Sequence, residues 1–267
     1  RRRQRDLPWR ATADPYAISK LIGQKAANVM GQFRFEGPVH VIARGEVDYN
    51  GWARNNLEAF VEGEKMGYEW FLAERGSFRV KAIGPNLLFT DVEAHAYHGA
   101  FSGRGSFYAV DEPTNTQYDV QVSMNDIDFN SLLASMQPQK PAKYEGKLAA
   151  VVEVAGIMGK GRGDTATGDG QISIKGGQLF RVPLLGGLSQ ILSAIYPGLS
   201  FMTQTDFRST FGIADRKFHS EDVYLEGDIM SISGKGDYAF DGGLDFTVQV
   251  IPLRAGAYLD LWDLKTV

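Results

Sequence analysis

The sequence predicts a mainly β fold: an elongated, curled antiparallel sheet, a β-groove or taco-like form, built of repeated hairpin units with two or three short helices. Three observations predict it. A Gly-x-Gly phrase recurs at near-constant spacing, the runs beside it alternate apolar and polar residues, and glycine stands at 31 of 267 positions with only 10 prolines. That share exceeds the average of about 7% without a collagen-like period, which implies many turns between short strands.

The phrase appears as Phe101-Ser-Gly-Arg-Gly-Ser-Phe-Tyr108, Thr167-Gly-Asp-Gly-Gln-Ile-Ser-Ile174 and Ser233-Gly-Lys-Gly-Asp-Tyr-Ala-Phe240. Its first glycines, Gly103, Gly168 and Gly234, stand 65 and 66 residues apart, a self-similarity that marks repeated supersecondary units. After two of the phrases a short turn leads into another alternating run, at residues 117–124 and 244–250. In such runs positions i, i+2 and i+4 share one face of a half-buried strand. The turn at Asp241-Gly-Gly243 reads as a hairpin because glycine supplies the positive φ such turns need. Further strands are read at 39–43, 57–61, 77–82, 87–96, 148–154, 207–213 and 223–225. In the run at 91–97, Val92, Ala94 and Ala96 fall on one side and Glu93, His95 and Tyr97 on the other.

Two segments carry helical period instead. At residues 14–30 Asp14 is an N-cap before Pro15, and Ile18, Leu21, Ile22, Ala26 and Val29 form one stripe. At residues 183–196 Leu184, Leu185, Leu188, Ile191, Leu192 and Ile195 recur at spacings of three and four, and Pro197-Gly198 ends the run. Such a stripe is most often ordinary core; it lacks the basic residues of a membrane-surface helix. The organisation expected is a basic N-terminal segment and helix over 1–36, then a repetitive β-groove domain over 37–267 with units near 37–110, 111–175 and 176–250. The whole reads as a fragment of a longer, membrane-anchored protein.

Composition narrows the functions. The net charge of −4 gives no basic footprint for nucleic acid. Zero cysteines exclude disulfides, thiolate metal sites and cysteine nucleophiles. No run reaches the roughly 18 apolar residues of a membrane-spanning helix. His95 and His98 are the one close histidine pair, but their i, i+3 spacing on a strand points them to opposite faces, and Glu93 with His95 is too few ligands for a metal. Asp126 and Asp128 share a strand face, and Glu221 lies near Asp228; paired acids can hydrolyse glycosides, yet solvated strand edges look the same. The Gly-x-Ser-x-Gly nucleophile elbow and the phosphate loop are absent, and Arg162-Gly-Asp164 reads as an exposed turn. The expectation is a non-enzymatic protein with no cofactor and no metal.

The order of phrases from Gly168 to Val250 resembles the C-terminal region of the AsmA-like family, relatives of TamB and YhdP in Gram-negative envelopes. The residues carrying the resemblance are the Gly168 phrase, Gly177-Gln-Leu-Phe-Arg-Val-Pro-Leu-Leu-Gly186 leading into the helix, Phe207-Arg-Ser-Thr-Phe-Gly-Ile213, and the run from Gly234 to Phe246. Leu179, Val182, Pro183, Leu184, Leu185 and Gly186 match the family's approach to that helix, and residues 91–136 resemble its repeating strands. The resemblance implies a curled sheet whose concave, apolar side conducts phospholipid acyl chains between membranes, in the periplasm, on a protein anchored in the inner membrane, with envelope proteins as partners. On that reading the lipid-binding residues are Val92, Ala94, Val120, Val122, Leu184, Leu185, Leu188, Ile191, Leu192, Leu244, Phe246 and Val248. The alternative is a structural or adhesive β-repeat module whose apolar face is closed as core and whose outer face binds a protein.

Overall fold

The computed structural model describes residues 9–12, 31, 33–46, 53–109, 115–136, 145–158, 165–177, 205–228, 230–252 and 262–266. The fold is mainly β, antiparallel and open, as the sequence predicts. The chain divides into two compact units, residues 1–122 with 157–160 and residues 123–156 with 161–267.

The first unit holds β1 (Trp9–Thr12), β2 (Phe33–Phe35), β3 (Val39–Glu46), β4 (Asn56–Tyr68), β5 (Phe71–Ile83), β6 (Asn86–Ala96), β7 (Gly99–Tyr108) and the first half of β8 (Gln117–Asp128). The strands pair in the order β1-β3-β4-β5-β6-β7-β8, with β2 on the far end of β4. The second unit holds the rest of β8, α1 (Phe129–Met136), β9 (Lys147–Ile157), β10 (Thr167–Gly177), β11 (Thr205–Ala214), β12 (Lys217–Gly227), β13 (Met230–Ala239), β14 (Leu244–Pro252) and β15 (Trp262–Thr266), paired in chain order. Every strand read from alternation lies inside one of these, generally a longer one: residues 57–61 belong to the 13-residue β4 and 77–82 to the 13-residue β5. The Asp241-Gly-Gly243 hairpin turn joins β13 to β14, with Gly242 at φ +97° and Ala239 N–H bonded to Gly243 O at 2.8 Å.

The three Gly-x-Gly phrases occupy every third strand, β7, β10 and β13, and register shows what they do. The second glycine of each stands directly opposite a phenylalanine: Gly105 opposite Phe89, Gly170 opposite Phe211, Gly236 opposite Phe246. The first stands opposite β-branched residues: Gly103 opposite Val92, Gly168 between Val154 and Ile213, Gly234 between Val223 and Val248. A Cβ at Gly170 would sit 2.5 Å from Phe211 Cζ, and one at Gly103 would sit 2.5 Å from Gln121 O. Each phrase therefore holds at least one glycine, Gly103, Gly168, Gly170 or Gly236, where a neighbouring ring or backbone approaches too closely for a side chain, whereas Gly105 has ordinary room.

Two strands carry one residue more than both of their neighbours. In β6 the extra residue falls at Thr90-Asp91, between the pairs made by Phe89 and Val92; in β12 it falls at Glu221-Asp222, between Ser220 and Val223. Each is a β-bulge, which bends the strand and sharpens its twist. Asp91 adopts φ +50° there, and its carboxylate meets Arg79 Nε at 3.1 Å.

The one helix among the described residues was not read from the sequence. Asp128 caps it, its Oδ1 accepting the Ser131 N–H at 2.8 Å, and Phe129 and Leu132 are buried beneath it. Asp126 is left-handed at φ +57°, which breaks the alternation on which a shared Asp126/Asp128 face depended. The expected helices at 14–30 and 183–196 lie outside the described residues.

Replacing the cap, Asp128→Ala, is expected to cost about 1 kcal/mol of stability, read as a shift in the urea midpoint. Gly170→Ala is expected to cost about 1–3 kcal/mol because Phe211 must move. Gly212→Ala, on the neighbouring strand, meets no atom closer than 4.0 Å and should leave the midpoint nearly unchanged. Equal midpoints for the two glycine variants would contradict this account of the phrase.

Candidate functional site

Cross-strand pairs put alternate residues of neighbouring strands on the same face, so each face can be followed through the register. In the first unit one face collects Leu57, Ala59 and Val61 of β4, Phe78, Val80 and Ala82 of β5, Leu87, Phe89, Val92 and Ala94 of β6, and Phe101 and Phe107 of β7. The other collects Glu58, Glu62, Arg79, Lys81, Glu93, His95 and Ser102, with Phe60 under the Arg79 guanidinium and Leu88 opposite Lys81. Rings chain along the apolar face, Phe78 to Phe89 to Phe107 at 5.8 Å each, with Phe71, Tyr97 and Phe101 as a second cluster at 5.2 to 6.2 Å. Tyr97 sits in the β6–β7 turn, where it and His98 both have positive φ (53° and 61°). Its hydroxyl accepts the Leu72 N–H at 3.3 Å and donates to Trp70 O at 3.4 Å, which holds the turn in this conformation.

Burial on this face is unusual. Among the described residues of the first unit the buried apolar ones are Val39, Ala59, Ala73, Ala82 and Ala96, all small. The phenylalanines, Leu57, Val61, Val80 and Val92 are half-buried, and the described residues of this unit contain strands and turns but no layer over that face. In the second unit the equivalent face is drier at one end: Leu148, Ile174, Leu225, Ile232 and Val250 are buried in one cross-strand row, with Met230 1% exposed beside them.

The seven described candidates all lie on these apolar faces. Val92 and Ala94 are half-buried opposite Gly103 and Phe101. Val120 faces Gly105, whose Cβ would touch Val120 Cγ2 at 3.4 Å; Val122 lies two residues on, beside Gly103. In the second unit Leu244 and Phe246 are half-buried, and Val248 is 2% exposed, packed against Gly234. Leu184, Leu185, Leu188, Ile191 and Leu192 lie outside the described residues.

The hollow in the second unit lies on the opposite face, which mixes polar with apolar residues. A trough of about 1070 Å³ crosses β8 to β14, and none of the seven candidates lines it. Two adjacent cross-strand rows pave it. One is Ala149, Ser173, Arg208, Tyr224, Ser233 and Gln249; the other is Val151, Gln171, Thr210, Asp222, Lys235 and Thr247. The β12 bulge sits in its floor, where Glu221 and Asp222 both line the trough opposite the single residue Lys235.

The charges there are organised. His219 Nδ1 meets Asp237 Oδ1 at 2.6 Å and its Nε2 meets Glu221 Oε1 at 2.9 Å, while Lys217 and Lys235 reach the outer oxygens of Asp237 and Glu221 at 3.5 and 3.6 Å. The hydrogen bond to Asp237, then that to Glu221, raises the His219 pKa above 6.5. The bond from His219 holds Asp237 below its ordinary 3.8. For Asp222 partial burial pushes upward, but the Thr210 N–H at 2.7 Å and hydroxyl at 2.9 Å, with Ser220, outweigh it and lower the pKa. Arg208 lies over the Tyr224 ring at 4.5 Å and forms no ion pair among the described residues.

Of the other chemical groups, His95 Nε2 bonds Arg75 at 3.2 Å on the polar face and His98 is a turn residue. Among the described residues no group of three or more His, Asp or Glu is placed to hold a metal. No family model, no curated protein and no solved structure matches the chain.

The pKa directions fix a pH signature. His219, raised, stabilises fully below 6.5, and its contribution is lost as pH rises through its folded value. Asp237, lowered, stabilises fully above 3.8, and its contribution is lost as pH falls through its folded value. The pair contributes most between those ordinary values. An NMR titration should place His219 above 6.5, and Asp237→Asn should bring it down.

Proposed function

We propose that this chain binds acyl chains along the apolar face of its sheet, as a non-enzymatic lipid-carrying or lipid-conducting domain. The observation that carries the reading is the first unit's inverted packing, with small residues buried and its phenylalanines and larger aliphatics left half-exposed on one face. In an ordinary two-layer domain the large side chains fill the core. A contiguous face of half-exposed rings marks a surface that meets something apolar, and a flexible hydrocarbon chain suits the shallow steps between Val92, Phe89 and Phe101. Each methylene removed from water contributes about 0.8 kcal/mol.

The order of AsmA-like phrases supports the same reading and, with it, a phospholipid ligand, a periplasmic setting, an inner-membrane anchor beyond this chain and envelope proteins as partners. The face is built by alternation, so an acidic side chain at Val92 would stand among the phenylalanines, whereas one at Glu93 already stands on the other side.

Native mass spectrometry of the gently purified protein should show bound phospholipid. Val92→Asp should weaken it about tenfold or more, since loss of two methylene contacts already amounts to about 1.6 kcal/mol. His95→Asp, on the polar face, should not. Circular dichroism establishes that each variant is folded. A folded wild-type protein carrying and exchanging no lipid would overturn the proposal and leave the scaffold reading.

A further inference from the structure

His219 stands on β12 opposite Asp237 of β13 and Gly212 of β11. Both of its ring nitrogens meet carboxylates, Nδ1 with Asp237 Oδ1 at 2.6 Å and Nε2 with Glu221 Oε1 at 2.9 Å. An ionised carboxylate only accepts, and a neutral imidazole donates from one nitrogen alone, so only the charged ring satisfies both bonds at once. The arrangement therefore depends on a single proton.

The charged groups that face the ring decide which bond survives the loss of that proton. On β12 these are Lys217 and Glu221, two residues to either side; on β13 they are Asp237 and Lys235, with Asp245 of β14 opposite Asp237. β11 offers no side chain at Gly212, and beyond it β10 places Asp169 in the same row. Asp215 and Arg216 form the turn that precedes the strand. Asp237 lies directly across the ladder, makes the shorter bond and has its other oxygen 3.5 Å from Lys217. Glu221 belongs to the bulge, where the pairing between Ser220 and Val223 is interrupted, and its other oxygen meets Lys235 at 3.6 Å. A neutral ring that keeps its proton on Nδ1 retains Asp237 and turns a lone pair toward Glu221, which a carboxylate cannot satisfy. Asp222, next in the bulge, has anchors of its own in Thr210 and Ser220.

We propose that His219 is a proton-operated latch on the β12 bulge: the charged ring fastens Glu221 to the strand, and the neutral ring lets Glu221 go while keeping Asp237. The latch is closed below the folded pKa of His219, which its two hydrogen bonds raise above 6.5, and it opens as pH rises through that value. A bulge disrupts the ladder locally, so a side-chain fastening there bears more directly on local opening than it would in a regular stretch. The latch shares no residue with the apolar face and is independent of the acyl-chain reading.

The test is NMR of the full chain labelled with nitrogen-15, titrated from about pH 5.5 to about pH 9, a range that spans the ordinary histidine value. The imidazole nitrogen signals should show the proton leaving Nε2 and the neutral ring remaining protonated on Nδ1. Exchange of the amides of residues 221–223, referred to amides of β10 to remove the general acceleration by hydroxide, should speed about threefold across the same inflection, the scale of one lost surface charge pair. Glu221→Gln should abolish that step, because a carboxamide can turn either its oxygen or its NH2 toward Nε2 and so suits both states of the ring. His219→Ala should show the faster exchange at every pH. A neutral ring protonated on Nε2 overturns the proposal, as does wild-type exchange in the bulge with no step at the His219 inflection, or a step that persists in Glu221→Gln.

Discussion

Everything described here depends on strict two-residue alternation maintained across antiparallel register. Because the side-chain period is two, one slipped residue would exchange the faces of a strand and place glutamate among the phenylalanines. The glycine phrases help to prevent that slip. At Gly105, Gly170 and Gly236 a phenylalanine stands across the ladder, and at Gly168 a Cβ would come within 2.0 Å of Glu153 O. Only the register that puts glycine under these neighbours is free of collision, so each phrase acts as a pin, and pins recur at every third strand. The glycines weaken their strands locally; the fixed register of a long sheet offsets that.

The bulges do the opposite work. Where alternation must be broken, β6 and β12 each insert a single residue, and in both cases an aspartate followed by a valine sits at the break: Asp91-Val92 and Asp222-Val223. The aspartate goes to the polar side, where Arg79 or Thr210 receives it, and the valine returns to the apolar face opposite the first glycine of a phrase, Gly103 or Gly234. One extra residue thus restores the phase of the faces while bending the strand. In the second unit Glu221 and Asp222 of that bulge line the trough.

This division explains what the sequence made readable. The strands, their faces and the repeat were legible because alternation and glycine spacing are local, one-dimensional signals. Val92, Ala94, Val120, Val122, Leu244, Phe246 and Val248 were placed on apolar faces by that signal alone. The bulges were not legible, because a bulge is a relation between two strands: nothing in Thr90-Asp91 or Glu221-Asp222 shows that the partner strand is one residue shorter. The trough is a relation among several strands and was missed for the same reason. The helix α1 spans eight residues, too short for period to speak, although the Asp128-x-x-Ser131 spacing of its cap stood in the sequence. The supposed Asp126/Asp128 face failed because a single positive φ defeats alternation.

The two faces differ in what they ask of a ligand, and the difference is physical. Among the described residues the apolar face of the first unit is paved mainly by hydrocarbon and phenyl groups, and the free energy of covering such a surface scales with the area removed from water. The trough of the second unit is built differently: Arg208 lies over Tyr224, Glu221 meets His219 and Lys235, and the ionised Asp222 accepts from Thr210. Within each unit alternation gives every strand two chemically different faces, and the single extra residues in β6 and β12 keep those faces in phase with the neighbouring strands.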